Sequence, residues 1–214
     1  MSDLSKDFFS KDYFFGRKNS NYLNYIHWDN DRYWKSIINA VKKFKMKDRV
    51  LDIGCAFGFL LKRMEPYFDE LHGIDISDFA IKEAKKQFPV AQYKEVDLDI
   101  EELPYADNYF DLITALDVLE HTKSLSKSLE KIIKKLKKGG YLIISLPISD
   151  TLAGKIFNFF DTDKSHISVP ARKELFSIIE NSGLKIIKKN YFLNMIFFKL
   201  KGVPADMELI LQKQ

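Results

Sequence analysis

The chain of 214 residues carries a single cysteine, Cys55. One thiol allows no internal disulfide and no thiolate metal cluster, which suits a reducing compartment such as the cytoplasm. Long apolar runs are also lacking. The longest, around "YFLNMIFF" at 191–198, falls well short of the ~20 residues that cross a bilayer. The N-terminal "MSDLSKDFFSKDYFF" has none of the basic-then-apolar layout of a secretory signal. Charge of one sign is not in large excess: the net charge of +4 permits an anionic partner but does not call for nucleic acid. No internal repeat or low-complexity linker interrupts the chain, and its length suits one domain with additions.

What the chain does hold is apolar and aromatic. Hydrophobic residues make up 46%, with 18 Phe and 10 Tyr, enough for a sizeable core and an aromatic-lined pocket besides. Residues 1–45 are expected to form an irregular arm and a helix, in which Tyr33, Trp34, Ile37, Ile38, Val41 and Phe44 recur at helical spacing behind a cap at Asn30 or Asp31. Regular alternation follows over 49–147. Strands are expected at "RVLDIG", "ELHGIDI", "AQYKEV", "FDLITAL" and "YLIISLP", with amphipathic helices between them, such as "SDFAIKEAKKQF" behind Ser77 or Asp78 and "SLSKSLEKIIKKLKK" closed by Gly139 and Gly140. This alternation predicts an α/β, doubly wound, mostly parallel sheet covered on both faces. Residues 148–170 read as a long flap, and 171–214 as a helix and two last strands around an apolar insert at Leu193 to Val203. The lysines of the "SLSKSLEKIIKKLKK" helix are most simply its wet face, opposite Leu125, Leu129, Ile132, Ile133 and Leu136. They leave open a contact with an anionic membrane surface or RNA.

"VLDIGCAFGFL", at 50–60, reads as strand, tight turn and helix start. Gly54, Ala56 and Gly58 offer no side chain to pack, and small residues at a turn serve close approach to the main chain. In open parallel sheets, ligands bind at the carboxyl ends of the strands, and the first strand-to-helix turn is the usual place. The dinucleotide fingerprint fails here, because Phe59 falls where a small residue must let the helix pack on the strand. A G-x-x-x-x-G-K-[ST] loop is absent. A ligand without a pyrophosphate for this turn is therefore expected, which disfavours a nicotinamide oxidoreductase. Asp75, closing the second strand in "GIDIS", can accept hydrogen bonds from both hydroxyls of a ribose, and Ser77 and Asp78 already serve as caps.

Taken in order and spacing, "VLDIGCAFGFL", "GIDIS", "VDLDIEELPYADNYFDLITALDVLEH" and "LKKGGYLIISLP" resemble the class I S-adenosylmethionine-dependent methyltransferases, and among them the small-molecule group that includes the quinone-biosynthesis enzymes. The resemblance runs from about Arg49 to Gly183. It implies a seven-stranded sheet of Rossmann-like methyltransferase type with an antiparallel C-terminal strand, and S-adenosyl-L-methionine as cofactor. It places Asp52 near the methionine ammonium, the backbone of Gly54, Cys55, Ala56 and Gly58 along the amino-acid moiety and sugar, and Asp75 and Ile76 at the ribose. Ala56 departs from the glycine usual at the middle position. An acid after the third strand meets adenine, which offers Asp97 with Leu98 or Asp99 with Ile100; Asp97 is preferred because it directly follows the strand. Asp117 and Leu119 fall near the methyl group.

"LDVLEH" replaces the "NPPY"-type run of DNA-adenine methyltransferases, and no Pro-Cys dipeptide offers a cytosine-attacking thiol. The resemblance implies direct displacement, with proximity and alignment as the main contribution. His121 and His166 are the candidate catalytic bases for an acceptor hydroxyl, and His27 and His72 read as structural. No metal is expected. The expected partner is a small-molecule acceptor, apolar or aromatic, methylated at oxygen. The flap's "KIFNFF", the insert "FLNMIFF" and Tyr22, Tyr25 and Trp28 are candidates to roof its pocket. The rival readings are an RNA or protein methyltransferase and a catalytically silent cofactor-binding regulator.

Overall fold

Val50, Leu51 and Ile53 on β1 (Arg49–Ile53) are all but fully buried, as a central strand covered on both faces requires. The computed structural model describes residues 6–16, 20, 22, 24–160, 163–195 and 198–214, with residues 157, 158, 160, 194, 195, 198 and 199 described by backbone alone. Around β1 stand β2 (Glu70–Asp75), β3 (Gln92–Glu95), β4 (Phe110–Leu116) and β5 (Leu136–Pro147). β6 (Leu184–Met195), β7 (Phe198–Lys201) and β8 (Asp206–Lys213) complete the sheet, whose order is β3-β2-β1-β4-β5-β8-β6-β7. The β3-β2-β1-β4-β5 pairs are parallel, while β8 runs antiparallel between β5 and β6.

The expected doubly wound, mostly parallel architecture with an antiparallel C-terminal strand is thus observed, with one edge strand added to the seven expected. The addition lies in the apolar stretch read as an insert: β6 continues to Met195 and pairs antiparallel with β7, Phe192 opposite Lys201 and Met195 opposite Phe198.

Helices lie on both faces: α1 (Lys11–Phe14), α2 (Asp31–Phe44), α3 (Phe59–Met64), α4 (Asp78–Gln87), α5 (Leu125–Lys135), α6 (Leu152–Phe160) and α7 (Arg172–Glu180). Alternate strand residues feed two separate cores. Val50, Leu112, Ile143 and Ile210 pack with Ile37, Val41, Leu61, Met64 and Ile81 of α2, α3 and α4. Their neighbours Leu51, Ile113, Ile144 and Leu211 pack with Leu129, Ile132, Leu175 and Ile179 of α5 and α7. The period-2 alternation of strands accounts for this split. Caps hold the helix starts where local chemistry predicts. The Asn30 side chain accepts from Tyr33 N–H and Ser77 from Ala80 N–H, each worth about 1 kcal/mol. α5 ends at Lys135, three residues before the lysine run does, because Leu136 already pairs with Phe110. The flap contains a helix of its own, α6. Among the described residues no helix is long and apolar enough to cross a membrane.

Strand order reverses direction between β1 and β4, so a crevice opens beyond their carboxyl ends. The turn after β1, the end of β2, the loop after β3 and the loop after β4 all meet there.

Candidate active site

The turn after β1 is built by the main chain. Gly54 N–H and Cys55 N–H both donate to the Ile74 carbonyl, at 2.8 and 3.0 Å, which locks the turn to β2. Gly54, Ala56 and Gly58 all take the left-handed conformation, with φ of +69°, +44° and +78°. Two of the three small residues lie under protein groups. A Cβ on Gly54 would stand 2.2 Å from a Val118 methyl, and one on Gly58 would stand 2.5 Å from the Tyr93 hydroxyl. Ala56 carries its methyl in the left-handed region at a cost of about 1 kcal/mol. Its N–H is fixed there by a 2.9 Å bond to Asp75 Oδ2.

Asp75 is held from two sides, since Ser77 N–H donates to its Oδ1 at 2.9 Å. Burial pushes its carboxyl up to about 6, against the opposing pull of those backbone donors. Asp52 lies deeper in the sheet, where Thr114 Oγ1 donates to its Oδ1 at 2.6 Å. Burial, with the charge of Asp75 adding to it, raises the Asp52 carboxyl to about 7. The Cys55 thiol is buried, and burial raises its pKa too.

The turn after β1 and the end of β2 border a cleft holding about 1020 Å³ of empty space, its open mouth included. Of the expected cofactor residues, Gly54, Ala56, Asp75, Ile76, Asp97, Leu98 and Asp117 line it. Asp52, Cys55 and Gly58 do not: the first faces Thr114, the second is packed in the core, and the third lies under Tyr93. Both acids after β3 line the cleft, but they are used differently. Asp99 accepts Lys123 N–H with both carboxylate oxygens, at 2.9 and 3.2 Å. Asp97 accepts Asp99 N–H through Oδ1 at 2.9 Å.

Asp117 caps β4 in the left-handed region, φ +54°. Its N–H donates to the Ser145 carbonyl at 2.9 Å, and Ser145 Oγ donates to its Oδ1 at 2.7 Å. Its Oδ2 accepts from the Tyr33 hydroxyl at 3.1 Å, which ties α2 across the cleft to β4. Burial, then the Asp117 charge, keeps the Tyr33 phenol protonated by raising its pKa.

The wall facing the sheet comes from the N-terminal arm. Phe9, Tyr13, Phe14, Tyr22, Tyr25 and Trp28 line it as an interlocked aromatic layer, Tyr22 edge-on to Tyr25 at 5.0 Å and Trp28 edge-on to Tyr33 at 4.4 Å. Tyr22, Tyr25 and Trp28 therefore lie where a roof was expected. The flap and the C-terminal stretch contribute no lining side chain among the described residues: Phe159 is 83% exposed and Phe192 is buried in the sheet layer. The side chains of Phe157, Phe160, Ile196, Phe197 and Phe198 lie outside the described residues.

His121 lines the cleft next to Asp117, on a short 3₁₀ turn over Leu119–His121. Its Nδ1 is 3.1 Å from the Ser165 carbonyl, and its ring centroid is 4.9 Å from that of His166. Burial, followed by the charge of His166, lowers His121 to about 4, so it is neutral near pH 7. His166 does not line the cleft; it stands behind His121, with Nε2 4.0 Å from Glu120 Oε1. The arm and the flap return are joined here, because the Tyr13 hydroxyl donates to Asp163 Oδ2 at 2.9 Å. Sequence reasoning passed over Tyr33, Val118 and Glu120. Of these only Glu120 carried a signal, an acid next to a candidate histidine.

An acid-rimmed crevice at the switch point of a doubly wound sheet, closed by aromatics, is the place where open α/β folds bind ligands. A methyltransferase-domain family model matches residues 25–189, and the chain belongs to that family as a class I S-adenosylmethionine-dependent methyltransferase. It is 31% identical to an uncharacterized protein of Methanocaldococcus jannaschii over 172 residues, 77% of this chain and 78% of that one. It is 29% identical to the ubiquinone/menaquinone biosynthesis C-methyltransferase of Proteus mirabilis over 139 residues, 60% of this chain and 55% of that one. Its fold is similar to that of an S-adenosylmethionine-dependent methyltransferase of Thermotoga maritima, with TM-score 0.69 at 18% identity over 89% of this chain and 95% of the other.

Proposed function

We propose that this enzyme methylates an oxygen of a small apolar or aromatic acceptor. The carrying observation is that one cleft has two unlike walls, carboxylates along the strand ends and aromatic rings from the arm, with a neutral imidazole where they meet. S-adenosylmethionine supplies an electrophilic methyl group on a cationic sulfur. The residues present suit it. Asp75 is pre-set by two backbone donors and retains lone pairs for the ribose hydroxyls. Asp97, which directly follows β3 and leaves one oxygen with no bond to Asp99 N–H, is the preferred partner for the adenine amino group, while Asp99 is turned to Lys123 N–H. The backbone of Gly54 to Ala56 borders the amino-acid moiety. Asp117 and the rings of Tyr22, Tyr25 and Tyr33 line the cleft and offer acceptor oxygen and π-density to a sulfonium, a cation–π contact being worth about 0.5–2 kcal/mol.

Alignment of acceptor and methyl group supplies most of the acceleration, up to about 7–11 kcal/mol. The aromatic arm excludes water and holds an apolar acceptor against the strand ends. His121, uncharged near neutral pH, handles the acceptor's hydroxyl proton with His166 behind it. A lysine-rich α5 does not favour nucleic acid over this reading: Leu125, Leu129 and Ile132 are buried, and of its lysines only Lys127 and Lys134 are exposed, Lys135 being buried against Asp107 and Lys131 bonded to the Leu98 and Glu101 carbonyls. Incubation of the purified protein with methyl-labelled S-adenosylmethionine and a cell extract, followed by fractionation, tests the reading. Label in a small organic-soluble compound as a methyl ether is expected; label confined to RNA or protein would overturn it.

A further inference from the structure

We propose that Glu120, His121 and His166 form a site for one divalent transition-metal ion of the zinc class, at the acceptor end of the cleft. The proposal rests on the methyltransferase reading only for the use of the ion, and on geometry for its existence. One oxygen or nitrogen of each side chain lies within 4.8 Å of the other two. Ligand atoms around a tetrahedral zinc are about 3.4 Å apart, so the side chains close by roughly an ångström to bind it. Two imidazoles and one carboxylate, with an open fourth position, match the donor set of catalytic rather than structural zinc sites.

Glu120 supplies the independent observation. Its side chain is 1% exposed, and its Oε2 has no hydrogen-bond partner. A buried carboxylate oxygen left unpaired is costly, and a cation beside it removes the cost. The surroundings of His121 point the same way. With Nδ1–H donating to the Ser165 carbonyl, Nε2 keeps its lone pair, which is how backbone carbonyls orient metal-binding histidines.

The two loops that bring the three residues together are fastened at this point. Ile167 N–H and Ser168 N–H both donate to the Glu120 carbonyl, at 3.0 and 2.9 Å. Glu120 and His166 are thereby held in register although far apart in sequence. Of the three, His121 borders the cleft and Glu120 and His166 do not, so an acceptor would reach the ion past His121. With Nε2 of His121 on the ion, that imidazole no longer accepts the proton; instead a hydroxyl that joins the ion ionises at a lower pH and releases its proton to water. The acceptor class this favours is a phenol or alcohol, and an added chelating oxygen would strengthen its hold.

The probe is Co²⁺ alone, titrated into chelator-treated full-length protein and followed by visible absorbance, with Zn²⁺ calorimetry alongside. One equivalent is expected to bind and to give the intense d–d bands of a four- or five-coordinate site. Glu120→Gln and His166→Ala should each weaken binding at least tenfold, while His27→Ala leaves it unchanged. S-adenosylhomocysteine affinity and the thermal midpoint, measured on the same variants, show whether the fold and donor site persist, so failure of this proposal is distinguishable from failure of the methyltransferase reading. Absence of d–d bands, binding of Mg²⁺ in preference to Co²⁺, or equal Co²⁺ affinity in folded Glu120→Gln and His166→Ala would overturn it.

Discussion

Val118 sits on Gly54 so closely that a single added carbon would lie 2.2 Å from its methyl group. The glycine is thus required by a neighbour on the β4 loop as well as by its own φ of +69°. Gly54→Ala should destabilise the protein by about 2 kcal/mol or more, combining overpacking with left-handed strain. Adding Val118→Ala should recover the overpacking part and leave the ~1 kcal/mol of strain. Urea unfolding of the single and double variants measures both. Equal stability of Gly54→Ala and the double variant would show that Val118 does not impose the requirement.

Asp52 and His121 pull the pH dependence of stability in opposite directions. The folded Asp52 carboxyl is raised to about 7 from an ordinary 3.8, so the folded state holds its proton more tightly than the unfolded chain. The stability it contributes is fully present below about 4 and is lost as pH rises through about 7. His121 is lowered to about 4 from 6.5; its contribution is present above about 6.5 and is lost as pH falls through about 4. Asp52→Asn keeps an acceptor for Thr114 and removes the ionisation. The midpoint of the variant relative to the parent should therefore climb between pH 5 and pH 8, by several degrees at about 2–4 °C per kcal/mol. A difference that is flat or falls over that range in differential scanning calorimetry would contradict the raised pKa.

Which of these features the sequence shows follows from the range of the interaction involved. The β1 turn, Asp75 and the caps at Asn30 and Ser77 are legible because their chemistry is settled within a few residues by backbone conformation and nearby N–H groups. The alternating strands are legible because burial on both faces demands unbroken branched apolar runs. The edge strand β7 is not, since "FKLK" gains its identity only by pairing with β6. The Tyr33–Asp117 and Glu120–His166 relationships join positions far apart in the chain, and no local spacing encodes them. Asp52 shows the converse. It stands in the expected motif, yet the pleat of β1 turns it to Thr114 rather than to the cleft.

Methyl transfer in this cleft requires a sulfonium nucleoside lying across the ends of β1 and β2 with its sugar on Asp75. Titration calorimetry of S-adenosylmethionine against the parent and against Asp75→Ala tests this directly. One molecule should bind the parent chain, and the variant should bind at least tenfold more weakly while remaining folded. An unchanged affinity in Asp75→Ala, or no binding to the parent, would contradict it.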